Sequence, residues 1–107
     1  MQWVVLALDA TVEAELAALP ADMRARFQRI AALIREFGIE RVHEPLVKHL
    51  EGKLWEMRLK GRDGIARAIY LTASGRRVIV VQAFVKKTRK TPRAEIELAW
   101  RRAQEVE

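Results

Sequence analysis

Between Asp22 and Thr72 the spacing of apolar residues changes once, and that change limits the folds open to the chain. Met23, Phe27, Ile30, Ile34 and Phe37 recur every three or four positions, a single stripe along a helix. From Leu54 the spacing drops to two: Trp55, Met57 and Leu59 alternate with Glu56, Arg58 and Lys60, as on a strand with two unlike faces. Helices with one apolar stripe and strands with one apolar face bury both by layering, which predicts an α+β domain.

The remaining elements fall around this frame. Trp3 to Leu8 is rich in β-formers and ends at Asp9, a side chain suited to capping the helix predicted over Thr11 to Leu19. Pro20 stops that helix, Asp22 opens the next, and Gly38 closes it. Ile39 to Gly52 has no clean period and contains Pro45, so it reads as a connection with at most a turn of helix. After the strand Leu54 to Lys60, Gly61-Arg62-Asp63-Gly64 turns into a second strand, Ile65 to Thr72. Ser74-Gly75 turns again into Val78 to Val85, whose apolar run predicts a central strand buried on both faces. Beyond Thr91-Pro92 a last helix places Ile96, Ala99 and Trp100 to cover the sheet. The expected order is β-α-α-β-β-β-α: a mainly antiparallel sheet, an N-terminal helical hairpin and a C-terminal helix.

With 107 residues the chain is expected to form one domain, 1–107, with room for a single core. It has no cysteine, which removes disulfides, thiolate nucleophiles and cysteine-held zinc, and which suits a reducing cytoplasm. The apolar start is too short for a secretory signal, and no run approaches the ~20 residues of a membrane span, so a soluble, cytoplasmic protein is expected. Charge is unevenly placed. Residues 1–52 hold six Lys/Arg against eight Asp/Glu, and residues 53–107 hold fourteen against six. A basic second half fits a polyanionic partner, because neutralising phosphates releases counterions; a solubilising surface charge is the plain alternative.

The densest cationic stretch is Lys86-Lys87-Thr88-Arg89-Lys90-Thr91-Pro92-Arg93, directly after the central strand. Phe84 beside it offers a stacking surface and Thr88 and Thr91 offer hydroxyls, a mixture suited to single-stranded RNA. Arg67 shares its predicted strand face with Ile65, Ile69 and Leu71, so its charge needs a reason. It is either a structural arginine paired with Glu56 or a phosphate-gripping arginine held by the sheet, with Arg58 close by on the next strand. His43 and His49 lie in the irregular connection with no carboxylate at a diagnostic spacing, and six positions apart they make no metal motif. Neither a phosphate-binding glycine loop nor a serine nucleophile elbow is present, and no cofactor is implied.

The stretches VKHLEGKLWEMRLKG, ARAIYLT and VIVVQAFVKKTRKTPRAEIELAWRR together resemble the phage-related branch of the RelE/HigB toxins, within the RelE/ParE superfamily. The likeness covers roughly Leu46 to Arg102 and rests on the strand Leu-Trp-Glu-Met-Arg, an arginine in the next strand, and Phe84 leading into Lys86-Lys87-Thr88 with Pro92 and Ala99 beyond. It implies the toxin of a type II toxin–antitoxin system: a metal-independent endoribonuclease that cuts messenger RNA on the ribosome by way of the ribose 2′-hydroxyl. It implies silencing by a HigA-like helix-turn-helix antitoxin in a hetero-oligomer. On this resemblance Arg67 matches the arginine that grips the scissile phosphate, Lys86 and Lys87 match the basic positions after the last strand, and Arg58 completes the catalytic set. Lys60, Phe84, Thr88, Arg89 and Lys90 are the expected RNA contacts. One departure from the RelE pattern bears on proton transfer. The sole tyrosine, Tyr70, is mid-strand, and beyond the basic loop Trp100 is the only aromatic, with no histidine. The lysines with the ribosome, or else His49, are left for that work. Two other readings share the fold or the charge: a ParE-like inhibitor of DNA gyrase, and a noncatalytic module that binds nucleic acid or an antitoxin.

Overall fold

The computed structural model describes residues 2–86 and 89–106. Its elements are β1 (Val4–Ala7), α1 (Ala10–Ala17), α2 (Ala21–Phe37), a 3-10 turn (Ile39–Arg41), β2 (Val47–Glu51), β3 (Leu54–Gly61), β4 (Gly64–Ala73), β5 (Arg77–Lys86) and α3 (Arg93–Ala103). The expected α+β architecture is present. The sheet runs β1-β5-β4-β3-β2, with β1 parallel to β5 and every other pairing antiparallel.

The helical hairpin starts as its sequence dictates. Asp9 accepts a hydrogen bond from the Val12 amide (3.0 Å), taking up one of the free donors at the head of α1. Gly38, at φ +89°, ends α2, and its amide donates to the Ile34 carbonyl. Met23, Phe27, Ile30 and Ile34 are buried as the stripe requires, whereas Phe37, at the last turn of α2, is left 55% exposed. Asp22 at the head of α2 also reaches across to the β3–β4 turn, where the Arg62 amide donates to it (2.6 Å).

Two apolar layers form, one on each face of the sheet. On the hairpin side α1 and α2 pack over Met57, Leu59, Ala66, Ala68, Tyr70, Val78 and Val80. On the other side Ala99 and Ala103 of α3 pack over Leu54, Ile69, Leu71, Ile79 and Val81. The 39–52 stretch, expected as a connection, contributes a 3-10 turn and an extra edge strand, β2. Val47 faces the hairpin-side core and Lys48 pairs with Glu56 on the opposite face, a two-residue period too short to stand out beside Pro45.

A bulge in β5 decides what the second face carries. Tyr70 pairs with Val80 but Ile69 pairs with Gln82, so Val81 is an extra residue. Before it Val78 and Val80 face the hairpin; after it Ala83 does, while Gln82 and Phe84 turn toward the α3 side. Unbroken alternation would have sent Gln82, Phe84 and Lys86 into the apolar layer under the hairpin. The outer edge of β5 is covered where β1 has ended: the Val81 carbonyl accepts from Arg102 (2.9 Å) and the Ala83 amide donates to Glu15 (3.0 Å). Glu15 and Arg102 are themselves ion-paired at 2.8 Å, joining α1 to α3 over that edge. No helix among the described residues is long and apolar enough to cross a membrane.

The β2–β3 turn is pinned to α3. Glu51 accepts from the Trp100 indole (2.6 Å) and from both terminal nitrogens of Arg93 (2.7 and 3.0 Å), contacts that hold its carboxyl down to about 2. Gly52 sits in the left-handed region at φ +53°, and a Cβ there would lie 2.9 Å from the Trp100 ring. Gly52→Ala is therefore expected to destabilise the fold by about 1–3 kcal/mol through backbone strain and ring displacement, read as a lower thermal midpoint.

Candidate nucleic-acid interface

α3 packs on the apolar part of its face of the sheet, and the polar side chains gather beyond it, beside the segment that leads into α3. Strand register places them: Arg58 on β3 lies directly opposite Arg67 on β4, Phe84 on β5 lies opposite Arg67 from the other side, and Lys86 pairs with Ile65. Lys60 pairs with Ile65 from β3, and Lys48 on β2 pairs with Glu56. The alternation that put Arg58, Lys60 and Arg67 on one face is thus realised, and the β5 bulge brings Phe84 and Lys86 to the same face.

Arg67 is 1% exposed. Both possibilities left open by its position have a physical basis here. Its Nη1 is ion-paired with Glu56 Oε2 at 3.4 Å, and Nη2 donates to the Arg89 carbonyl at 3.0 Å. Yet among the described residues Nε and Nη1 find no hydrogen-bond partner, and neither does Nζ of Lys86, a lysine only 6% exposed. Buried donors without acceptors cost about 1–3 kcal/mol each, more when charged, and an unmet cationic donor invites an anion. Burial is the main cause that lowers the pKa of Arg67; Glu56 opposes it and Arg58 adds to it. For Lys86 burial again leads, then repulsion from Arg67, with Glu56 opposing and Arg58 and Lys48 adding.

Glu56 is the carboxylate among these cations. It is 3% exposed, and besides Arg67 it accepts a 2.6 Å hydrogen bond from the Thr91 hydroxyl, in the segment leading into α3. Strand alternation placed it on the polar face with Arg58 and Lys60, and its burial comes from the covering segment rather than from its own strand. Lys48 joins the cluster unforeseen, because the strand that carries it was not expected.

Of the other expected residues, Phe84 is half-buried against the α3-side layer and Lys60 and Arg89 are exposed. Lys90 is exposed as well. Lys87 and Thr88 lie outside the described residues. His49 falls on the wrong face: it pairs with Trp55, packs against that ring in a tilted arrangement with centroids 5.0 Å apart, and its Nε2 is 2.7 Å from the Gly52 carbonyl. His43 lines a cavity of about 690 Å³, which lies on the hairpin side among Ile39, Val42, Val47, Trp55 and Tyr70. Among the described residues no lysine or arginine lines that cavity, so it does not offer the chemistry of the basic face. Among the described residues no three His, Asp or Glu side chains converge as a metal site would require.

The family model of phage-derived Gp49-like proteins (DUF891) matches residues 14–104. No curated protein matches the chain in sequence. Among solved structures it is similar to a mutant of the E. coli toxin RelE in the free state, with a TM-score of 0.62 and 19% identity over 97% of this chain and 96% of that one. It is also similar to the archaeal RelE–RelB complex of Pyrococcus horikoshii OT3, with a TM-score of 0.58 and 22% identity over 84% of this chain and 100% of that chain. The resemblance carried by the strand motifs is borne out, and the chain belongs to the phage-derived Gp49-like family, with the fold of the RelE toxins.

Proposed function

We propose that this protein is the toxin of a type II toxin–antitoxin pair and cuts messenger RNA on the ribosome. The observation that carries the reading is the group of buried cationic donors, Arg67 Nε and Nη1 with Lys86 Nζ, which find no acceptor among the described residues on the α3 side of the sheet. A phosphodiester supplies the missing oxygens, and Arg58, Lys60 and Lys48 extend the positive surface along its flanks. Phe84, opposite Arg67, offers a ring face to an unstacked base. A phosphate oxygen reaches Nη2 by replacing the Arg89 carbonyl.

In the proposed reaction Lys86 in its neutral form takes the proton of the ribose 2′-hydroxyl. The 2′ oxygen bonds to phosphorus, the bond from phosphorus to the 5′ oxygen breaks, and that oxygen takes up a proton from solvent. The products are a 2′,3′-cyclic phosphate and a 5′-hydroxyl. Arg67 meets the charge that builds on the phosphoryl oxygens, where a buried cation is most effective. The burial and surrounding cations that lower the pKa of Lys86 increase the neutral fraction the first step needs. Lys87, Thr88, Arg89 and Lys90 are proposed as further RNA contacts. The partners proposed with this function are the ribosome, its message and a HigA-like antitoxin, all in the cytoplasm.

The chemistry is tested by the ends it leaves. Purified protein added to ribosomes programmed with a defined message is expected to leave 5′-hydroxyl ends; 5′-phosphate ends or an uncut message would refute the reaction.

A further inference from the structure

The proposed chemistry uses cations only, yet one carboxylate is buried among them. Glu56 faces Arg67 with one oxygen at 3.4 Å and holds the Thr91 hydroxyl with the other at 2.6 Å. The charged side chains that bear on Lys86 are Arg67 on β4, Glu56 and Arg58 on β3 and Lys48 on β2, so Glu56 is the lone negative charge among them. A buried carboxylate is costly unless paired, and a purely structural partner for Arg67 would be expected to satisfy the guanidinium fully. Here it does not: among the described residues Nε and Nη1 find no hydrogen-bond partner.

Resting on the nuclease reading, we infer that Glu56 is the resident counter-ion of the site, a positioning residue that aims Arg67 and balances Lys86 until a substrate phosphate arrives. The ion pair is long enough to leave donors free for the phosphate, and the Thr91 hydrogen bond fixes the carboxylate to the lead of α3, so it stays in place when the phosphate binds. Its negative charge favours the protonated form of Lys86 against the effects that oppose it. Glu56 thereby moderates how readily the proposed base becomes neutral.

Glu56→Gln keeps the shape and an acceptor for Thr91 but removes the charge, so the neutral form of Lys86 is favoured further. Titration of the lysine side-chain NMR signals, with Lys86 assigned by its absence from Lys86→Met, is expected to show the Lys86 midpoint moving to lower pH in Glu56→Gln. The acid limb of the cleavage profile should move the same way. Thr91→Val loosens the carboxylate but keeps its charge and should leave the midpoint where it is. An unchanged Lys86 midpoint in Glu56→Gln, or an equal shift in Thr91→Val, overturns the inference. Should Glu56→Gln not fold, Glu56→Asp carries the test, with a smaller shift of the same sign expected. The titration needs no cleavage, so a wild-type protein that cuts no RNA would refute the nuclease reading while the Lys86 midpoint still decides the role of Glu56.

Discussion

Arg67→Ala is expected to abolish function and to damage the fold, for two separable reasons. Removing a cation that meets charge in the transition state costs about 10²–10³ in rate. Removing it from a buried pair also leaves Glu56, 3% exposed, without its counter-charge, a loss of about 3–5 kcal/mol. An inactive Arg67→Ala protein would therefore be ambiguous alone. The double variant Arg67→Met with Glu56→Leu resolves it, because replacing both charges with apolar groups of similar size is often neutral for stability. Chemical denaturation is expected to return the double variant close to wild-type stability, while the cleavage assay shows it as inactive as the single one. Recovery of activity along with stability would mean that Arg67 serves only the fold.

Deleting Val81 is expected to make β5 regular without turning its polar residues over. Val80 stays opposite Tyr70 and Gln82 opposite Ile69, so strict alternation keeps Gln82, Phe84 and Lys86 on the α3 side. What is lost is the Val81 side chain, fully buried in the α3-side layer, and the carbonyl that accepts from Arg102. Removing a buried valine costs about 1.5–3 kcal/mol. The expected readout is a lower thermal midpoint with the cooperative transition and RNA cleavage both retained. A deletion variant that loses the cooperative transition would show that the pairing beyond the bulge cannot close without the extra residue.

That bulge also marks where the sequence stops being legible. β3 could be read from alternation because one face is polar and the other apolar, which put Arg58 and Lys60 on one side correctly, and Arg67 stood out as the one charge on an aliphatic face of β4. From Val78 to Val81 both faces are apolar, and an inserted residue in such a run leaves no trace in the pattern. β2 was hidden for the opposite reason: an edge strand of five residues has little to bury, and Val47 alone faces the hairpin-side core beside the exposed Lys48 and His49. The burial of Glu56 depends on Thr91 and Arg67, thirty-five and eleven positions away in the chain. The hint available in the sequence was that an arginine on an aliphatic face needs an acid nearby.

The fate of messages in a growing cell decides most directly whether this protein cuts them. Brief induced expression, with the 5′ ends of all transcripts mapped beside an Arg67→Ala, Lys87→Ala variant of matched abundance, measures this. New ends inside translated codons, present with the wild-type chain and absent with the variant, are the expected result. Growth arrest with intact messages and damaged DNA would contradict it and point to gyrase as the target.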